Sequence, residues 1–165
     1  MTSARVDPGR PTRIVILGGG PAGYEAALVA AQLGARVTVV DRDGIGGSCV
    51  LTDCVPSKTL IATSDRVTAL RDAPRVGVGT AGAEPAVDLA IVNTRIKTLA
   101  QQQSDDVAAR LAAEGVTVIP AAGRFAQHQP PRSHVVEVVD DEGSVIDALE
   151  AEVVLVATGG TPRLL

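Results

Sequence analysis

Aromatic side chains are almost missing from this chain: it has no tryptophan, one tyrosine (Tyr24) and one phenylalanine (Phe125). Single-stranded nucleic-acid binding leans on aromatic stacking platforms, so that class is excluded. A core must instead be filled by Val, Leu, Ile and Ala, which supply most of the 45% hydrophobic residues and suit buried parallel strands covered by helices. Charge of one sign is missing too. The formal net charge is -4 with both signs interspersed, which leaves no basic footprint for DNA, RNA or an anionic membrane. Long apolar runs are also absent, because Gly34, Arg36 and Asp41 interrupt the most hydrophobic region, so no membrane span is expected. Nothing before Thr12 has the apolar run of a signal peptide, and residues 1–11 read as a polar, disordered lead. The expected compartment is therefore the reducing cytoplasm. There, the two cysteines of the chain point to redox chemistry or metal binding rather than to a structural staple.

The 165 residues suffice for one domain with a real core and are too few for two full ones. Residues 13–17 form a continuous apolar run that stops at Gly18-Gly19-Gly20, the pattern of a buried strand entering a tight turn. Pro21 suits the first turn of a helix, which runs to Leu33 before Gly34. A second buried strand covers 36–40, closed by Asp41. Residues 57–71 have helical spacing, and 73–87 are rich in Pro, Gly and Ala, as a loop is. The longest helical pattern spans 88–113 and should be partly exposed, with a short strand at 116–119 after it. A hairpin is expected from 134–139 and 144–149, then an apolar strand at 153–157. The fold class is α/β: a Rossmann-like, three-layer nucleotide-binding core with two to three parallel strands and a small antiparallel meander.

The spacing Gly18-x-Gly20-x-x-Gly23 has a physical reason at each glycine: a tight turn, close approach of backbone to a pyrophosphate, and close helix–sheet packing. The helix that starts near Pro21 and Ala22 would aim its free N–H groups at the phosphates. Asp41 ends the next strand, where a carboxylate can accept hydrogen bonds from ribose hydroxyls. A glycine-rich α/β turn without a ligand is the plainer alternative.

Cys49 and Cys54 enclose Val50 to Asp53. On an undistorted helix, residues five apart are separated by about 7.5 Å along the axis. A disulfide allows only about 4.4 to 6.8 Å between Cα atoms. A bond between the two thus requires a loop or a distorted turn from Val50 to Asp53. A helix start at Pro56-Ser57-Lys58 would also act on a neighbouring thiol. Zinc is a weaker reading, since only His128 and His134 could complete four ligands, and no metal is expected. Two small buried residues remain the plain alternative.

Together, GGGPAGYEAA, Asp41, the segment Gly46 to Lys58 and the late VVLVATGGTPR resemble the N-terminal portion of pyridine nucleotide-disulfide oxidoreductases, the dihydrolipoamide dehydrogenase and mercuric reductase group. The resemblance covers residues 13–165. It implies that the dinucleotide is FAD, bound by Gly18, Gly20, Pro21, Ala22, Gly23 and Asp41, and that electrons come from NAD(P)H. It also implies that Cys54 lies nearer the flavin while Cys49 attacks a disulfide substrate. Lys58 would stabilise charge on the reduced ring. Gly47 and Ser48 would line the FAD channel, Ala122 would touch the adenine through its main chain, and Gly159 would approach the cofactor. For Lys58 a solvated helix position, and for Ala122 and Gly159 ordinary turn geometry, are the alternatives.

Two departures matter. The commoner family segment carries Thr and Gly where this chain has Ser48 and Asp53, and the carboxylate of Asp53 adds negative charge beside the thiols. The segment VLTDCVPSK resembles a branch of NAD(P)H:quinone oxidoreductases, so the expected acceptor is a small molecule, either a disulfide or a quinone. Family members are also much longer, adding an NAD(P)H domain and a dimerisation domain. The expectation is an FAD-binding domain over 12–165, truncated and inactive alone, from a protein that is a homodimer when intact. A non-catalytic FAD-binding module and a non-functional remnant that cannot fold stably are the remaining alternatives.

Overall fold

The computed structural model describes residues 10–79, 85–131 and 133–160. The lead over 1–9 and part of the 73–87 loop lie outside the described residues. The chain divides into two compact units, Met1–Gly47 with Ser104–Leu165, and Ser48–Gln103.

In the first unit, β1 (Arg13–Leu17), β2 (Arg36–Val40), β3 (Thr117–Ile119) and β7 (Val153–Val156) form one parallel sheet in the order β3-β2-β1-β7. Four strands thus replace the two to three expected from the sequence. The register is unshifted: Leu17 stands beside Val40 and Val156, and Val40 beside Ile119. All four strands therefore end at one edge. A second sheet, β4 (Ala122–Phe125), β5 (His134–Val139) and β6 (Val145–Ala151), is antiparallel and matches the expected meander with one strand more.

Strand alternation separates two cores. Ile16, Val37 and Val39 face Ala27 and Leu28 of α1 (Pro21–Gln32) and Leu111 of α4 (Leu89–Ala113). Val15, Leu17 and Val40 face Val136, Val138 and Ala151 of the antiparallel sheet. Helices, parallel sheet and antiparallel sheet thus make three layers within this unit. Arg13 ties two layers at the rim through ion pairs to Glu150 (3.1 Å) and Glu152 (2.7 Å).

The second unit holds most of α2 (Gly47–Leu51), α3 (Cys54–Asp72), a 3-10 turn (Ala73–Val76) and the first part of α4. Helix α3 starts at Cys54, three residues before the expected position, because Pro56 falls in the first turn, where its missing N–H has no intrahelical partner to lose. No side chain of α3 is fully buried. On α4, Leu89 is 72% and Ile91 67% exposed, in line with the partial exposure expected of that helix.

Candidate functional site

The glycine turn sits at the C-terminal edge of the parallel sheet, where open α/β sheets place their ligands. Gly18 follows β1, and its N–H donates to the Val40 carbonyl at 2.9 Å. Gly20 is the N-cap of α1, Pro21 occupies the first helical position, and Pro21 and Ala22 are both exposed. The helix starts with no side-chain cap and no acidic residue in its first turn. Proline removes one of the first four N–H groups, and those of Ala22 and Gly23 have no acceptor within the helix. Such an end favours an anion. Gly23 is buried, and a Cβ there would collide with the Gly18 carbonyl oxygen. Only glycine lets α1 start so close to β1.

The sequence reading gives Asp41 to ribose hydroxyls, yet its carboxylate is already engaged by the protein. One oxygen accepts the Gly19 N–H at 2.5 Å, and the other accepts those of Asp43 (2.8 Å) and Gly44 (2.7 Å). About one of its four lone-pair directions is left for a ligand. The Gly19 carbonyl in turn accepts the Gly46 N–H at 2.8 Å. Gly47, at φ +55°, lies against Gly20, so a Cβ there would come within 2.8 Å of the Gly20 Cα. Behind this loop the buried hydroxyl of Ser104, on α4, donates to the Ile45 carbonyl at 2.6 Å. Gly19 and Ser104 were not among the candidates read from sequence. A signal for Ser104 existed: it falls on the stripe Ala100, Val107, Leu111, where a polar residue needs a buried partner.

The remaining candidates of this unit lie off the same sheet edge. The Ile119 carbonyl accepts N–H groups from both Asp41 (3.1 Å) and Ala121 (3.0 Å), which carries the chain past the end of β2 into half-buried Ala122, the first residue of β4. Gly159 follows β7 by three residues, exposed, at φ +70°. A Cβ there would meet nothing within 4 Å, so its backbone angle alone asks for glycine.

In the second unit the sequence's geometric condition on the cysteines is met. The helix breaks between α2 and α3: the N–H groups of Thr52 and Asp53 both go to the Ser48 carbonyl, at 3.0 and 2.8 Å, and Asp53 adopts φ −124°, ψ −89°. Both cysteines are free thiols and half-buried. The break lets them meet. The Cys49 thiol is held above its ordinary pKa, first by its hydrogen bond to Cys54, then by burial and by negative charge on Cys54 and Asp53, with the Lys58 ammonium opposing. Lys58, one turn beyond Cys54, and Ser48, on α2, are exposed. Among the described residues, no three His, Cys, Asp or Glu side chains cluster as a metal site, and no helix is long and apolar enough to cross a membrane.

A parallel sheet with a glycine turn and an uncapped helix at its C-terminal edge defines the class of dinucleotide-binding α/β proteins. The family model for pyridine nucleotide-disulphide oxidoreductase matches residues 12–165, and the chain belongs to that family. It is 49% identical over 158 residues to an NAD(P)H dehydrogenase (quinone) from Mycobacterium tuberculosis, covering 93% of this chain and 32% of the relative. It is 35% identical over 152 residues to dihydrolipoyl dehydrogenase 2 of Haloarcula marismortui, covering 92% of this chain and 30% of that protein. The crystal structure of LpdA from Mycobacterium tuberculosis superposes with a TM-score of 0.84 at 49% identity, over 93% of this chain and 33% of that one. The chain spans about a third of the length of the relatives it matches.

Proposed function

We propose that this chain binds FAD and belongs to a protein that passes electrons from NAD(P)H to a small-molecule acceptor. The observation that carries the reading is the start of α1: uncapped, free of acidic residues and pressed against β1 through Gly23. In this reading the N–H groups of Ala22 and Gly23 and the backbone around Gly18, Gly20 and Pro21 hold the pyrophosphate. Asp41 offers its remaining lone pair to a ribose hydroxyl. Gly47 and Ser48 line the cofactor by main chain, Ala122 contacts the adenine, Gly159 borders the site, and Lys58 supplies positive charge near the ring. Bound FAD supplies a two-electron carrier between donor and acceptor. Cys49 and Cys54, as a dithiol, can give up two electrons and two protons by closing a disulfide.

A quinone acceptor is favoured by the 49% identity to an NAD(P)H dehydrogenase (quinone), and a disulfide acceptor by the pair of contacting thiols. In the whole protein the reading adds a homodimer and a cytoplasmic location. The test is absorbance of the purified chain in the flavin band, with titration by FAD and by ADP. Binding of both, abolished by Gly23→Ala, supports the reading; a chain that binds neither rejects it. The 165 residues hold one glycine-rich βαβ turn, so NAD(P)H oxidation by this chain alone should not exceed that of free flavin.

A further inference from the structure

The break that brings the thiols together also places a carboxylate at the start of α3. Asp53 is the N-cap of that helix, and its side chain makes no capping hydrogen bond. Its backbone is committed: the N–H donates to Ser48 and the carbonyl accepts from Ser57 at 2.9 Å. The exposed carboxylate therefore acts by its charge. A helix N-terminus carries roughly half a positive charge. Left alone, that end would favour negative charge near the thiols, since Cys54 is the first residue of the helix. The negative charge of Asp53 at the N-cap offsets it and opposes charge on the Cys49 sulfur, against the larger opposing pull of Lys58.

We propose that Asp53 is a specificity-determining positioning residue: it opposes thiolate formation at Cys49, the thiol held against Cys54, and so disfavours acceptors that must react covalently with sulfur. Exchange with a disulfide needs a thiolate. Cys49 displaces one thiolate from the incoming disulfide, and Cys54 then attacks the mixed disulfide and releases the second. The dithiol loses two electrons, the incoming disulfide gains two, and the two thiol protons leave with the products or to solvent. An acceptor that takes electrons without bonding to sulfur, such as a quinone, escapes this penalty. The charged groups acting on Cys49 are Cys54 and Asp53, which keep its proton on, and Lys58, which opposes them. The inference about acceptors rests on the function proposed above; the inference about the thiols does not.

The experiment uses the reduced chain, with no flavin needed. Site-resolved alkylation by iodoacetamide is followed from pH 6 to pH 10 by mass spectrometry for the wild type, Asp53→Asn and Lys58→Gln. Asp53→Asn should move the Cys49 profile to lower pH by about half a unit, about a threefold faster reaction at pH 7. High salt should shrink the difference. Lys58→Gln should move the profile the opposite way. Reduction of dithiodipyridine by the same proteins should follow the same order. Coincident profiles for wild type and Asp53→Asn, or equal shifts in one direction for both variants, overturn the proposal. Should Asp53→Asn not fold, an unmoved Lys58→Gln profile overturns it by itself, since the charges would then not reach the thiols. A chain that binds no flavin but shows these shifts rejects the proposed function and leaves this inference standing.

Discussion

Replacing Asp41 tests whether its carboxylate serves the protein fold before any ligand. Three N–H groups converge on it: Gly19 from the glycine turn, and Asp43 and Gly44 from the loop after β2. Hydrogen bonds to a charged acceptor contribute about 1.5–3 kcal/mol each, but the three cannot be added, because an exposed donor recovers most of its bond from water. Asp43 is exposed and Gly44 half-buried, whereas Gly19 is buried. Asp41→Ala therefore leaves one donor without water, and the cost should be about 2–3 kcal/mol. Asp41→Asn is more selective. With its oxygen kept towards Asp43 and Gly44, its NH2 faces the Gly19 N–H, donor against donor, and about 1–3 kcal/mol should be lost although size and shape are unchanged. Without tryptophan, the assay is urea unfolding followed by far-UV circular dichroism, with an unchanged m-value as the sign that stability alone has moved. ADP titration runs in parallel, and affinity should fall only as far as the turn loses its order. If Asp41→Ala stays within about 0.5 kcal/mol of wild type while ADP binding collapses, the carboxylate exists for the ribose and the loop argument is wrong.

Gly23→Ala should be among the costlier single changes, about 3 kcal/mol or more, because its Cβ meets a backbone oxygen that cannot turn away; a urea midpoint close to wild type contradicts the packing of α1 on β1. Ser104→Ala should cost about 1–3 kcal/mol, since the Ile45 carbonyl loses its donor inside the protein, and an unchanged unfolding curve refutes that role. The Glu152 carboxyl is held at about 2 by hydrogen bonds from Arg13, below its usual 4.5. A depressed carboxyl stabilises the fold above its unfolded pKa, and the contribution fades as pH falls from about 4.5 through 2. Glu152→Gln should therefore lower Tm at pH 6 and match wild type near pH 2; a gap that persists at pH 2 contradicts this, and solvent screening of the partly exposed pair keeps the effect small.

The fold was legible where one requirement fixed the residues. Residues 13–17 and 36–40 had to be buried strands, since Ile16 and Val39 face one core while Leu17 and Val40 face the other. Strands β3 and β4 were less so. Thr117–Ile119 is three residues long, and β4 reads Ala-Gly-Arg-Phe, a poor strand by propensity that forms because β5 supplies its hydrogen bonds. Gly123 belongs there for a tertiary reason: a Cβ would come within 2.5 Å of Leu17 Cδ2 and 3.3 Å of Val40 Cγ1, so glycine lets β4 pass close over the parallel sheet. Nothing local announces that contact.

The same division runs through the site. A demand on the backbone leaves a mark in the sequence, and Gly18, Gly20 and Gly23 could be placed from spacing alone. A demand on side-chain partners leaves none: the three N–H groups on Asp41 could not be foreseen because they come from loops that exist only once the chain has folded. The cysteines lie between these cases. Their spacing fixed a condition, that a continuous helix from 49 to 54 would hold the thiols about 7.5 Å apart along its axis and prevent them from meeting. It did not say where the helix would yield. The break falls at Thr52 and Asp53, whose N–H groups share one carbonyl, and Pro56, two residues into α3, has no N–H with which to extend a ladder back across it. Contact between the sulfurs and the charge of Asp53 thus arise from the same two residues, so moving the carboxylate without disturbing the break requires the isosteric Asn rather than Gly.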